Sequence, residues 1–129
     1  MSALQDAFEA LCELAVSFQD VYTSYSIGSM PAPDSLVLQI SAGAEENVGL
    51  DLCGDLNLDV VVNAKHRLQR EAFDALADIH HFLPRIKNLP LGNGWQILSI
   101  STSSTPTFIE HDGNQFLYGS GLEVHLYIE

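Results

Sequence analysis

The sequence predicts an α+β domain, in which an antiparallel β-sheet carries two amphipathic helices packed on one face as a two-layer sandwich. Three observations predict it. Segments 3–19 and 67–83 repeat apolar residues at helical spacing. Several other segments alternate apolar and polar residues, as half-buried strands do. The order is helix, three strands, helix, two or three strands, rather than the regular strand-helix alternation that builds a parallel sheet. With 129 residues, 47% of them hydrophobic, the chain suits a single domain, 1–129, around one core.

The elements follow in order. Ser2-Ala3-Leu4-Gln5 has the form of a capping box, and Leu4, Phe8, Leu11, Ala15 and Phe18 then mark one helix face. Gly28, Pro31 and Pro33 punctuate an extended connection within the domain. Leu36, Leu38 and Ile40 alternate with Val37, Gln39 and Ser41, which predicts a strand over 35–41 that ends at Ala42-Gly43. In the next segment Leu50, Leu52, Leu56, Leu58, Val60 and Val62 are all even-numbered, and Asp51, Asp55, Asn57, Asp59 and Asn63 are odd. A two-residue loop at Gly54-Asp55 would put Leu52 opposite Asn57 and mix the faces, so that loop is excluded. A hairpin with an odd loop such as Gly54-Asp55-Leu56 is the preferred reading, and one long strand bent at Gly54 is the alternative. Leu68, Ala72, Leu76, Ile79 and Leu83 share a face of the second helix, which Pro84 stops. Trp95 to Thr102 reads as a strand interrupted at Thr105-Pro106. Asp112-Gly113-Asn114 signals a turn, and Phe116, Tyr118, Leu122, Val124, Leu126 and Ile128 alternate to the end.

Charge is unevenly distributed. Seventeen acids face five bases, a formal net charge of −12, which disfavours generic binding to a phosphate backbone. All five bases, Lys65, Arg67, Arg70, Arg85 and Lys87, lie between positions 65 and 87. Residues 1–64 hold ten acids and no base, and residues 88–129 hold four acids and no base. The N-terminus lacks the pattern of a secretory signal, and no stretch reaches the ~18 apolar residues that span a bilayer, so a soluble protein made in the cytosol is expected. Cys12 and Cys53 stand apart without metal-ligand spacing and read as small buried hydrophobes.

No motif points to catalysis. Asp55-Leu56-Asn57-Leu58-Asp59 imitates the start of a calcium loop, but the sixth and twelfth positions hold Val60 and His66 instead of Gly and Glu. A solvated strand face explains the acids better. His80 and His81 are helix neighbours about 100° apart, so they do not converge on one metal. Gly119-Ser120-Gly121 sits within a strand pattern rather than on a nucleophile elbow, and its glycines suit a bulge or a close backbone contact. There is no phosphate loop, dinucleotide fingerprint or isolated carboxylate pair. The residues therefore suggest no enzyme, cofactor or metal site.

Several features taken together carry a likeness to a known family. They are the N-terminal amphipathic helix, Pro31-x-Pro33 before Ser35-Leu36-Val37-Leu38-Gln39, and the central segment ending Val60-Val61-Val62-Asn63-Ala64-Lys65. The helix ending Phe82-Leu83-Pro84, then Trp95-Gln96-Ile97, and the closing Asp112-Gly113-Asn114-Gln115-Phe116-Leu117-Tyr118 complete it. This layout, over nearly the whole chain, resembles the bacteriophage minor capsid proteins that serve as tail-completion or tail-terminator subunits. The resemblance implies a virion protein at the head-tail junction, made in the bacterial cytoplasm. It implies a ring, a hexamer for preference, that caps the tail tube and contacts the head connector. DNA would pass through that ring unbound, and no membrane is involved. The family has no catalytic residues to transfer. A ring needs head-to-tail contacts between different patches, and Lys65, Arg67, Arg70, Arg85 and Lys87 are the candidates to face an acidic surface of the next subunit. The same cations also have uses within their own subunit: Arg67 with Glu71, Arg70 with Asp74, and Arg85 and Lys87 at a helix C-terminus. A small acidic inhibitor or immunity-like protein that imitates nucleic acid and seeks a basic partner is the alternative function.

Overall fold

A computed structural model describes residues 3–28, 32–41 and 54–129. Ser2 of the expected capping box, Pro31, the Ala42-Gly43 stop, Leu50, Leu52 and Cys53 lie outside these residues. The elements are α1 (Ala3–Ser17), β1 (Ser26–Ile27), β2 (Ser35–Ile40), β3 (Gly54–His66), α2 (Gln69–Phe82), a 3-10 turn (Leu83–Arg85), β4 (Leu91–Gly92), β5 (Trp95–Asp112) and β6 (Gln115–Ile128). The six strands form one curled sheet in the order β1-β2-β3-β6-β5-β4.

The even-odd alternation of the sequence becomes the two faces of this sheet. Leu56, Leu58, Val60, Val62 and Ala64 of β3 are buried, and their register partners on β6, among them Leu126, Val124 and Leu122, are buried with them. Side chains of α1 (Ala7, Phe8, Leu11, Cys12, Ala15) and of α2 (Ala72, Ala75, Leu76, Ile79) join them in one apolar cluster. Each fully buried Leu or Ile there stabilises the fold by about 1.5–3 kcal/mol relative to exposure. The turn after α1 is tied by a buried Gln19: its Nε2 donates to the carbonyls of Val16 and Tyr22, and its Oε1 accepts from the amides of Val21 and Tyr22.

Three expectations need correction. The sheet is mixed rather than antiparallel, because β1 pairs parallel with β2 at Ser26↔Val37 and Ile27↔Leu38. A parallel neighbour joined through residues 28–34 alone stays two residues long, since so short a connection cannot return the chain along a full strand. The hairpin loop at Gly54-Asp55-Leu56 is not formed: these residues pair in β3 with Ile128, Tyr127 and Leu126. Finally, Thr105-Pro106 does not end the strand that starts at Trp95. The 18 residues of β5 fit the 14 of β6 through four register shifts, one of which contains Pro106. Beyond Ile97, whose amide donates to the Pro90 carbonyl, β5 pairs among the described residues with β6 alone, and on such an edge a missing N–H is tolerated. The glycines Gly119 and Gly121 of β6 face this irregular stretch. A Cβ on Gly119 would stand 2.6 Å from Ile109 Cδ1, and one on Gly121 would stand 2.5 Å from Ser103 Oγ.

Helix α2 begins at Gln69, two residues later than its apolar spacing predicts, because β3 runs on to His66. His66 Nδ1 accepts the Leu68 amide at 3.0 Å, and Asp34 Oδ1 accepts the Arg67 amide at 3.0 Å. Two amides at the helix entrance thus find side-chain acceptors in place of a cap at Leu68.

Candidate functional site

The five bases share one segment of the sequence, 65–87, and are divided in space. Helix α2, 14 residues long, separates them by about 21 Å. Lys65, Arg67 and Arg70 lie where β3 hands over to α2, and Arg85 and Lys87 follow its far end. Their surroundings differ. Lys65 is 7% exposed. Its ammonium donates to Asp112 Oδ2 at 2.8 Å, and its carbonyl accepts the buried Tyr22 hydroxyl at 2.9 Å. The bond from Lys65 holds the Asp112 carboxyl below its ordinary range. Arg67 approaches Asp34 rather than Glu71, with Nε 3.8 Å from Oδ2. The Arg67 amide is also the main reason the Asp34 carboxyl is held low. Arg70 stands 4.0 Å from Asp74 with its side chain 89% exposed. Arg85 donates to the carbonyl of His81 in the last turn of α2, and Lys87 is exposed without an ion-pair partner among the described residues.

The end of the sheet beside Lys65 is aromatic. One row of register partners runs His66, Phe116, His111 across β3, β6 and β5; the row two positions before it runs Ala64, Tyr118, Phe108. His111 stacks on Phe116 with centroids 4.3 Å apart, and Phe108 meets Tyr118 edge-on at 5.5 Å. From α2, Phe73 meets the same Tyr118 at 5.8 Å, and Gln69 Nε2 donates to the Tyr118 hydroxyl at 2.7 Å. Phe73 and Phe108 remain 42% and 45% exposed, and Leu68 at the start of α2 is exposed too. Sequence reading missed this cluster, because strand register and the packing of α2 on the sheet join its members.

The other side of the sheet is acidic. Asp55, Asn57 and Asp59 of β3 are exposed while Leu56 and Leu58 between them are buried. Asp59 and Glu123 are direct register partners, so two carboxylates oppose each other across β3 and β6. One row further on, His125 Nε2 lies 3.5 Å from Asp55 Oδ1. Like charges directly opposite in a sheet are unfavourable.

The remaining candidates have local roles. Ser120 is buried and donates to the Val62 carbonyl at 3.1 Å. Burial pushes the Cys12 thiol up to about 12. His80 Nδ1 bonds Thr102 Oγ1 at 2.9 Å, its Nε2 is shielded and has no partner among the described residues, and burial lowers its proton affinity. Among the described residues no three His, Cys, Asp or Glu side chains converge as a metal site. The hollow lined by Tyr22, Ser24, Tyr25 and Asp34 holds about 160 Å³, below the ~300 Å³ at which small-molecule pockets begin. No helix among the described residues is long and apolar enough to cross a membrane. No known family model matches the chain, and no curated protein sequence matches it.

Proposed function

We propose that this chain is a non-enzymatic bacteriophage structural protein, a minor capsid or tail-terminator subunit. In this reading its two helices and curled sheet form the two-layer, tail-terminator-like sandwich, with both helices on one face. Copies join head to tail in a ring, preferably of six, at the head-tail junction of the virion. The ring caps the tail tube and presents a surface to the head connector. Assembly occurs in the bacterial cytoplasm without a cofactor.

The observation that carries the reading is the separation of charge on the folded subunit. Exposed Arg67 and Arg70 lie at one end of α2, and Asp55, Asp59 and Glu123 lie on the outer side of the sheet. Two unlike patches at different places are what a head-to-tail ring requires. Acidic residues not used between subunits are available to line the pore, where a wall without cations gives phosphates nothing to bind. Light scattering with negative-stain microscopy tests the proposal. Closed rings, isolated or seated on tail tubes, are the expected result. A protein that stays monomeric at millimolar concentration and leaves tail tubes uncapped overturns it. The exposed acidic row on β3 and β6 also favours the second reading, an acidic inhibitor of a basic partner. A strict monomer that captures one basic protein stoichiometrically would establish that reading instead.

A further inference from the structure

We infer that the aromatic end of the sheet, with Phe73, Phe108, Arg67 and Arg70 at its surface, is the docking face for a second copy of this chain. The second copy presents its Asp59-Glu123 row. The inference rests on the ring reading and narrows it: of the five bases in the 65–87 segment, two belong to the contact, and aromatic rings anchor it.

The internal bonds of the subunit make the selection. Lys65 is buried and committed to Asp112, so its charge is not offered to another molecule. Arg85 and Lys87 sit about 21 Å away at the other end of α2. Arg67 and Arg70 keep side chains 66% and 89% exposed, and their pairs with Asp34 and Asp74 are long, at 3.8 and 4.0 Å. Exposed pairs of this kind are weak and exchange readily for a better partner. Phe73, three residues after Arg70 on α2, packs edge-on against Tyr118, Phe108 packs against Tyr118 and Phe116, and the two rings remain 42% and 45% exposed. Partly exposed phenylalanines together with arginines are residue types enriched at protein interfaces.

Charge decides the occupant. Arg67 and Arg70 are exposed here with only long pairs to Asp34 and Asp74, and the Asp59-Glu123 row of a second copy is where acids already oppose one another. An arginine from a neighbour relieves that repulsion. Asp59 lies six residues before Lys65 along β3, a separation of about 20 Å, and it projects from the opposite side of the sheet to Phe108. The two patches therefore cannot meet within one subunit or around a two-fold axis. They meet head to tail, which allows a closed ring.

The test compares R70E, Phe73→Ser, Phe108→Ser and E123K with R85E/K87E, by sedimentation velocity on the full chain, with circular dichroism to confirm folding. The first four should fall from the wild-type oligomer to monomer, and R85E/K87E should keep the wild-type size. Mixing R70E with E123K should restore association, because the acid introduced on the docking face of one copy then meets the base introduced in the β6 row of the other. Oligomers that survive R70E, Phe73→Ser and Phe108→Ser at wild-type size overturn this docking face while leaving the ring reading intact. A wild type that remains monomeric at millimolar concentration overturns both.

Discussion

Replacing Glu123 by Lys should stabilise the subunit, and the size of the gain follows from its position. Glu123 and Asp59 are direct register partners on adjacent antiparallel strands, both exposed, which puts their Cβ atoms about 5 Å apart. Two charges ~6.5 Å apart in water repel by about 0.6 kcal/mol. Glu123→Gln removes that repulsion, and Glu123→Lys turns it into an attraction of similar size, a swing of about 1.2 kcal/mol. A chain of 129 residues unfolds with an entropy of about 0.27 kcal/mol/K near 60 °C. The Tm should therefore rise by about 2 °C for Gln and 4–5 °C for Lys. Calorimetry at low salt and pH 7.5, at a concentration where all variants are monomeric, reads the effect. In ~1 M salt, where the screening length is about 3 Å, the ranking should collapse. An unchanged or lower Tm for the Lys variant at low salt refutes the opposed-carboxylate reasoning. A gain that persists in ~1 M salt assigns it to something other than charge.

Other outcomes test the core and the polar joints. Leu122→Ala, at a fully buried position of β6, should cost about 2–5 kcal/mol by urea denaturation, and a loss under ~1 kcal/mol would mean that the core closes around the deletion. Tyr22→Phe removes the 2.9 Å donor to the Lys65 carbonyl and should cost about 0.5–1.5 kcal/mol, or roughly 2–5 °C in Tm. For His80, burial holds the imidazole below its usual 6.5, so the unfolded chain takes up a proton first. The stability contributed by neutral His80 is then complete above about pH 6.5 and is lost as pH falls from there towards the lowered folded value. His80→Gln should flatten that part of the stability-pH curve, and an unchanged slope would show that another group sets it.

What could be read from the chain was what periodicity encodes. The helices, the buried even-numbered residues of β3 and β6 and the Asp112-Gly113-Asn114 turn all depend on neighbours within a few positions. The parallel pairing of Ser26 and Ile27 was hidden, because two residues are too short to show a period. Pro106 looked like an end because proline stops a paired strand; that this stretch is an edge depends on strand order, which local pattern does not carry. The five bases looked like one patch, since sequence distance conceals the length of an intervening helix. Lys65 is a related case: its partner Asp112 is 47 residues away and meets it only after β3, β6 and β5 have aligned. The aromatic rows arise from the same alignment.

The four extra residues of β5 have a further consequence for the ring proposed above. A straight, regular sheet edge invites copies to add strand after strand without limit, which is how fibrils grow. Here the longest stretch of β5 beyond β4 without a register shift is Ser99–Thr102, too short to template such growth, and Pro106 withholds a donor nearby. In the proposed ring such an irregular edge would leave side-chain patches as the means of contact, and patches set at fixed angles allow an assembly to close and stop at a finite number of copies.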